Sequence, residues 1–265
     1  MNASQTQLHE KQKVGKYQLG RFLGDGTFGA VFETTQPGPN RPCAIKVGVR
    51  EFAQKKGLNW ELVRQSLLAE PEIMARLDEH PNIIRVYDAD EYADYPYVVM
   101  ELMEGGLDKF VGKLDTAQAV DVFTQVSSAV KHLHDSNYAH QDIKPSNILM
   151  KRNGEGGLTA KLADLGTAKY MRETGSQVGY KGVVWTPGYI DPHVASGKSP
   201  ASPASDIYSL GVTFYHVLTG KMPDLSNFQS PHELKANLPQ ELSALILDMM
   251  NPTTHKENDH AATQH

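Results

Sequence analysis

YAHQDIKPSNILM (138–150) and, shortly after it, KLADLGTAK (161–169) decide how this chain is read. In the first, Asp142 and Asn147 lie five apart in a loop pinned by Pro145, and Lys144 sets a positive charge beside the carboxylate. In the second, Asp164 begins a turn that Gly166 allows to change direction. Two carboxylates and an amide are hard oxygen donors, suited to a magnesium ion that is shared with phosphate oxygens. Between the two stretches, KRNGEGG (151–157) separates strand-like ILM from LTAKLAD and predicts a hairpin.

Toward the N-terminus, GDGTFGAV (24–31) lies between strand-like QLGRFL and AVFETT. A glycine-rich turn lets backbone amides approach phosphate oxygens without a Cβ in the way. The same G-x-G-x-x-G opens dinucleotide folds, but there it leads from a strand into a helix, whereas here β-branched and aromatic residues follow. Lys46 sits in the apolar strand CAIKVGV, where an inward lysine needs a negative partner or a phosphate. Glu70, in SLLAEPEIMARL, is the candidate partner. Short runs rich in Val, Ile, Phe and Tyr extend from residue 17 to about 104, interrupted by one predicted helix over 60–77. After Gly106 the apolar spacing turns helical, with Ala119, Val122, Phe123, Val126, Val130 and Leu133, and later Ile207, Leu210, Phe214, Val217 and Leu218. The polar, aperiodic ends, 1–16 and 251–265, read as tails.

Composition limits the rest. At 265 residues and a net charge of −5, with no basic stripe, the chain is no generic polyanion binder, so no nucleic acid is expected as a partner. It has no apolar run long enough for a membrane segment. The single cysteine, Cys43, cannot form an internal disulfide and reads as a packing residue, which together fit a reducing, cytosol-like compartment.

Taken as an ordered set, the glycine loop, Lys46, Glu70, D-x-K-x-x-N and D-x-G resemble the protein kinase family over residues 17–250. The resemblance implies an α+β, bilobal fold: a β-rich N-lobe over 17–100, a hinge over 101–106 and a helical C-lobe over 107–250. It implies ATP and Mg2+, with Mn2+ as an alternative, and a protein substrate. By position, Gly24, Gly26 and Gly29 resemble the phosphate-covering loop; Val31 and Ala44 lie above adenine and Leu149 below it. Met100 falls at the gatekeeper, and Glu101 and Met103 at the hinge backbone. Lys46 resembles the lysine on the α and β phosphates that pairs with Glu70. Asp142 resembles the catalytic aspartate and Lys144 the lysine that steadies the transferring phosphoryl group, while Asn147 and Asp164 resemble the metal ligands. Lys144 two residues after Asp142, together with Thr186 in WTPGYIDPH, is similar to the serine/threonine branch. Asp206 resembles the buried aspartate that braces the catalytic loop. The pattern is similar to the bacterial eukaryote-like kinases, acting in their own cytoplasm or, for a delivered protein, in a host cytosol.

Several positions depart from the family. Gln141 stands where an arginine usually meets a phosphorylated activation loop, which predicts activity without loop phosphorylation at Thr174 or Ser176. Leu165 replaces the usual phenylalanine. Pro71 follows Glu70 directly and predicts a kink or restart in that helix. Asp191-Pro192-His193 replaces the usual close of the activation segment, and His255 or Lys256 stands nearest the missing arginine. These departures keep a pseudokinase that binds nucleotide without efficient catalysis as the alternative. The loop SGKSPASPAS (196–205) reads as flexible surface with docking potential.

Overall fold

The computed structural model describes residues 8–251 except 26–28, 56, 78, 155, 166–168, 171–185, 187 and 225, and only the backbone at 169 and 170. Gly26, Gly166, Thr174, Ser176, His255 and Lys256 therefore lie outside the described residues, as does the predicted C-terminal tail beyond 251. The described chain divides into two units, one of residues 8–79 and 84–103, the other of 80–83 and 104–251.

The first unit is built on a five-stranded antiparallel sheet. Strands β1 (Lys13–Val14) and β2 (Tyr17–Gln18) form a separate two-stranded ribbon. β3 (Phe22–Asp25), β4 (Gly29–Gln36), β5 (Arg41–Gly48), β6 (Val86–Tyr92) and β7 (Tyr95–Glu101) follow, in sheet order β3-β4-β5-β7-β6. β5 is central, and side chains alternate across its two faces. Cys43, Ile45 and Val47 enter one apolar cluster with Phe32, Tyr97 and Val99. Each such fully buried side chain stabilises the fold by roughly 1.5–3 kcal/mol. The same cluster corrects the expectation of a tail over 1–16. Leu8 and Val14 are buried in it, and the Tyr17 hydroxyl donates to Asp88 Oδ2 at 2.6 Å, so the polar-looking segment is held from residue 8 onward.

Helix α1 (Arg50–Lys55) was not signalled by periodicity, being only six residues long. Helix α2 (Trp60–Arg76) matches the predicted span; Asn59 caps it by accepting from Glu61 and Leu62 N–H groups. It runs continuously through Pro71 rather than restarting there. The cost of the missing N–H is outweighed by the apolar stripe of Val63, Leu67 and Ile73, which is buried on both sides of the proline.

The second unit holds β8 (Gly105–Gly106), α3 (Thr116–Asp135), β9 (Tyr138–Ala139), β10 (Ile148–Arg152), β11 (Leu158–Leu162), β12 (Lys169–Tyr170), α4 (Pro192–Ala195), α5 (Pro203–Thr219), α6 (Pro231–Leu234) and α7 (Gln240–Met249). β10 and β11 form the predicted hairpin, with Arg152 opposite Leu158. α3 starts at a full capping box of Asp115 and Gln118. Phe123 of α3 meets Phe214 of α5 edge to face at 4.4 Å. Residues 80–83, placed by the sequence reading in the N-lobe, pack in this unit instead. Asn82 Nδ2 donates to Gln125 Oε1 and to the Ala160 carbonyl, both at 3.0 Å, and its own carbonyl accepts from Leu162. The loop 196–205 is also shorter than expected: Ser202 and Ser205 form a capping box, with Pro203 opening the first turn of α5.

Candidate active site

The catalytic-loop residues converge within the second unit. Asp206, in the first turn of α5, is fully buried. Its Oδ2 accepts the His140 backbone N–H at 2.7 Å and its Oδ1 accepts that of Gln141 at 2.8 Å. His134 Nε2 stands 2.9 Å from the same Oδ2. A buried carboxylate is costly unless hydrogen-bonded, and here three groups of the loop and of α3 supply the bonds. They hold Gln141 at φ 69, left-handed backbone that an L-residue adopts only under constraint.

His140 continues the brace. Its Nδ1 lies 3.2 Å from the Asp142 N–H and its Nε2 3.0 Å from the Ala163 carbonyl. A backbone N–H can only donate and a carbonyl only accept, so the ring is the neutral tautomer with hydrogen on Nε2. The imidazole thus ties Asp142 to the residue before Asp164, and Ala163 N–H donates in turn to the Asn147 carbonyl at 2.9 Å.

Four of the predicted site residues meet directly. Lys144 Nζ donates to Asp142 Oδ2 and to Thr186 Oγ1, each at 2.7 Å. Asn147 Nδ2 donates to the Asp142 carbonyl at 2.8 Å and to its Oδ2 at 2.9 Å. All described donors to the carboxylate reach Oδ2, which leaves Oδ1 as the oxygen available to a substrate proton. Burial pushes the Asp142 carboxyl above its ordinary value; the Lys144 charge and hydrogen bond oppose this, while the Asp164 charge adds to it. Asp164 has φ 69, half-buried, with Leu165 behind it fully buried. Leu149 lies in β10, paired with Gly106 of β8.

The first unit carries the other predicted residues. Lys46 is opposite Val31 on one side and Val98 on the other, and Ala44 is opposite Met100. Register and the period of two therefore put Val31, Ala44, Lys46 and Met100 on one face of the sheet. Lys46 and Glu70 are both buried in this unit, Lys46 at 4% and Glu70 at 1% exposure. Glu101 ends β7, its N–H committed to the Arg85 carbonyl at 3.0 Å, and Met103 is the last residue of the unit. The two described glycines of the loop differ in what they do. A Cβ on Gly29 would lie 2.0 Å from the Val47 carbonyl oxygen, so strand packing alone demands glycine there. A Cβ on Gly24 would meet nothing within 4 Å, leaving open space against the backbone.

These donors fit a nucleotide with a magnesium ion. Hydrogen bonds from Nδ2 fix the Asn147 amide so that its Oδ1 is the unengaged acceptor, and Asp164 supplies the carboxylate. Among the described residues no group of three or more His, Cys, Asp or Glu could cage a metal. A magnesium ion shared with phosphate needs only one or two protein oxygens, phosphate and water completing its shell.

Sequence reasoning did not foresee the bonds of His134 and His140, nor the Tyr189 hydroxyl 2.6 Å from His216 Nδ1. His140 could have been noticed by its place two residues before Asp142; His134 and His216 carry no signal outside the tertiary structure.

Comparisons with known proteins bear on the family and the fold. The family profile described as Protein kinase domain matches residues 17–263. The chain is 33% identical over 218 residues to CBL-interacting serine/threonine-protein kinase 24 of Arabidopsis thaliana, covering 80% of this chain and 46% of that one. It is 33% identical over 217 residues to serine/threonine-protein kinase PrkC of Bacillus subtilis (strain 168), covering 80% of this chain and 32% of that one. It therefore spans less than half the length of these two relatives. The crystal structure of the Mycobacterium tuberculosis PknI kinase domain superposes with a TM-score of 0.68 at 23% identity, over 92% of each chain, which supports the fold. With the family profile running over residues 17–263, the chain belongs to the protein kinase family.

Proposed function

We propose that this chain transfers the γ-phosphoryl group of ATP, with Mg2+ or Mn2+, to a serine or threonine hydroxyl of a protein. The observation that carries the reading is the cluster in which Lys144 bridges Asp142 and Thr186 while Asn147 clamps Asp142. Asp142 Oδ1 orients the acceptor hydroxyl and takes its proton, and burial, by raising the carboxyl's proton affinity, suits it to that work. Lys144 places its ammonium beside the acceptor to neutralise charge on the phosphoryl group in flight. When bound, magnesium would supply charge neutralisation of the phosphates, held by Asn147 and Asp164. Lys46, paired with Glu70, would contact the α and β phosphates. The open backbone at Gly24, with Gly26 and Gly29, would cover them. Val31, Ala44, Met100 and Leu149 would surround adenine, and the backbone of Glu101 and Met103, in a hinge over 101–106, would hydrogen-bond it.

Activity is independent of activation-loop phosphorylation in this reading, because Gln141 offers a phosphate no charge. Among the described residues its buried Nε2 has no hydrogen-bond partner. The same neutral residue favours the second reading, a pseudokinase. No helix among the described residues is long and apolar enough to cross a membrane, and we place the activity in the cytosol.

Radiolabelled ATP with a generic basic protein separates these readings. Label with the wild type and none with Asp142→Asn supports transfer. Thermal stabilisation by Mg-ATP with no label in either protein refutes it in favour of the pseudokinase. Thr174→Ala with Ser176→Ala should leave turnover near wild type, and a large loss would overturn independence from the loop.

A further inference from the structure

The short stretch 80–83 interrupts the first unit and packs in the second. Two kinds of bond hold it there. Asn82 bonds Gln125, the Ala160 carbonyl and the Leu162 N–H through groups that do not titrate. His80 supplies the other kind. Its Nδ1 accepts the Asn82 backbone N–H at 3.2 Å, and its Nε2 stands 3.1 Å from Ser128 Oγ of α3. A backbone N–H can only donate, so Nδ1 carries the lone pair, the ring is neutral and the Nε2 hydrogen goes to the hydroxyl. One turn along α3 from Ser128, His132 lies against the same ring, with centroids 5.0 Å apart and planes 27° apart.

The charged groups that face His80 are of one sign. α3 presents His132 and β11 presents Lys161, while Ser128 is neutral. Burial first, and then these two charges, hold the His80 ring below the ordinary basicity of histidine. Two carboxylates of the neighbourhood are engaged by other cations. Glu79, next to His80 in the chain, pairs with Arg85 at 2.5 Å, and Asp135, which faces His132 from the end of α3, pairs with Lys131 at 2.6 Å.

We propose that His80 and His132 form an acid-sensitive clasp: with His80 neutral, residues 80–83 are fastened to α3, and a proton taken from solvent at His80 Nδ1 unfastens them. That proton occupies the lone pair, so the Asn82 N–H faces another N–H instead of an acceptor. It also sets up like-charge repulsion with Lys161, and with His132 whenever that ring is charged. Histidine is the side chain whose charge changes near physiological pH, so mild acidification is enough to act. The folded state holds this proton less tightly than the unfolded chain does. The stabilising contribution is therefore full above the ordinary histidine value and is lost as pH falls through the lowered folded value.

Differential scanning calorimetry of the full chain between about pH 7.5 and about pH 5.5 tests the clasp. Beside the wild type stand His80→Gln, whose amide can accept and donate but takes up no proton in this range, and His132→Gln, which removes one of the facing charges. The wild-type midpoint is expected to fall by about 2–6 °C more than that of His80→Gln, with His132→Gln between them. Parallel falls in the wild type and His80→Gln, as a merely structural role would give, overturn the proposal. Amide hydrogen exchange of the wild type, followed by NMR and corrected for the intrinsic effect of pH, needs no variant to fold. Faster exchange at the Asn82 N–H on acidification, with Val126 in the buried face of α3 unchanged, supports the clasp; protection at Asn82 that persists to about pH 5.5 overturns it.

Discussion

Replacing Asp206 by asparagine tests whether the catalytic loop is held by one buried carboxylate. The substitution keeps the shape and turns one oxygen into an amide. The better orientation puts Nδ2 where Oδ2 stood, since His134 can accept from it by changing tautomer, while Oδ1 keeps the Gln141 N–H. The His140 N–H, now 2.7 Å from an oxygen, would then face an N–H. One charge-assisted bond is lost, about 1.5–3 kcal/mol, and one buried donor is left unmet, about 1–3 kcal/mol, for a total of about 3–5 kcal/mol. A domain's stability is about 5–15 kcal/mol, so the variant stays folded but loses much of its margin. With roughly 2–4 °C per kcal/mol in a chain of this size, the midpoint should fall by about 6–20 °C. Loosening also frees Gln141 from φ 69 and carries Asp142 with it, so transfer should fall on the order of a hundredfold, as expected when a reacting group is misplaced by about 1 Å. Differential scanning calorimetry and the radiolabel assay measure the two effects. A melting point within about 2 °C of wild type with unchanged transfer would refute the reasoning, because both depend on the same bonds.

Other expectations follow from the same geometry. Asp142→Asn should lower transfer by about 10²–10⁴ with the fold retained, read by kinetics and circular dichroism. Because the folded-state carboxyl of Asp142 is raised, activity should fall on the acid side at a pH above the ordinary aspartate value, seen in a pH–rate profile. The sign for stability is opposite: the folded state holds the proton more tightly, so the contribution is full at low pH and declines as pH rises through the raised value, a slope absent in Asp142→Asn. Gly29→Ala should cost about 1–3 kcal/mol through its clash with the Val47 carbonyl, visible in urea unfolding without any nucleotide present. Pro71→Ala should raise the melting point, restoring an N–H inside α2 worth up to about 3 kcal/mol; a lowered melting point would show that the helix needs the proline.

Local chemistry made the site legible. Asp142, Lys144 and Asn147 could be picked out because a short loop confines them, so spacing in the sequence is close to spacing in space. Val31, Ala44 and Lys46 were legible because strand alternation has a fixed period. Legibility failed where partners are remote. Residues 80–83 read as part of the first unit, yet Asn82 bonds Gln125 and Ala160, which no local pattern foretells. Leu8 and Val14 looked like tail because two apolar residues among polar ones carry no period, yet the sheet offers them a buried place. Pro71 suggested a break that α2 does not make, since burial on both sides outweighs one lost hydrogen bond.

By itself, the sequence determined the family, the alternation of elements and the identity of the chemical groups, because motif spacing and apolar period are properties of neighbouring residues. The tertiary structure alone decided how those groups are held. Asp206 bonds His140 and Gln141 from more than sixty positions away, His140 takes one tautomer between Asp142 and Ala163, and His80 comes to stack on His132. Hydrogen bonds and burial act through space, and only the folded chain says which distant residues share it.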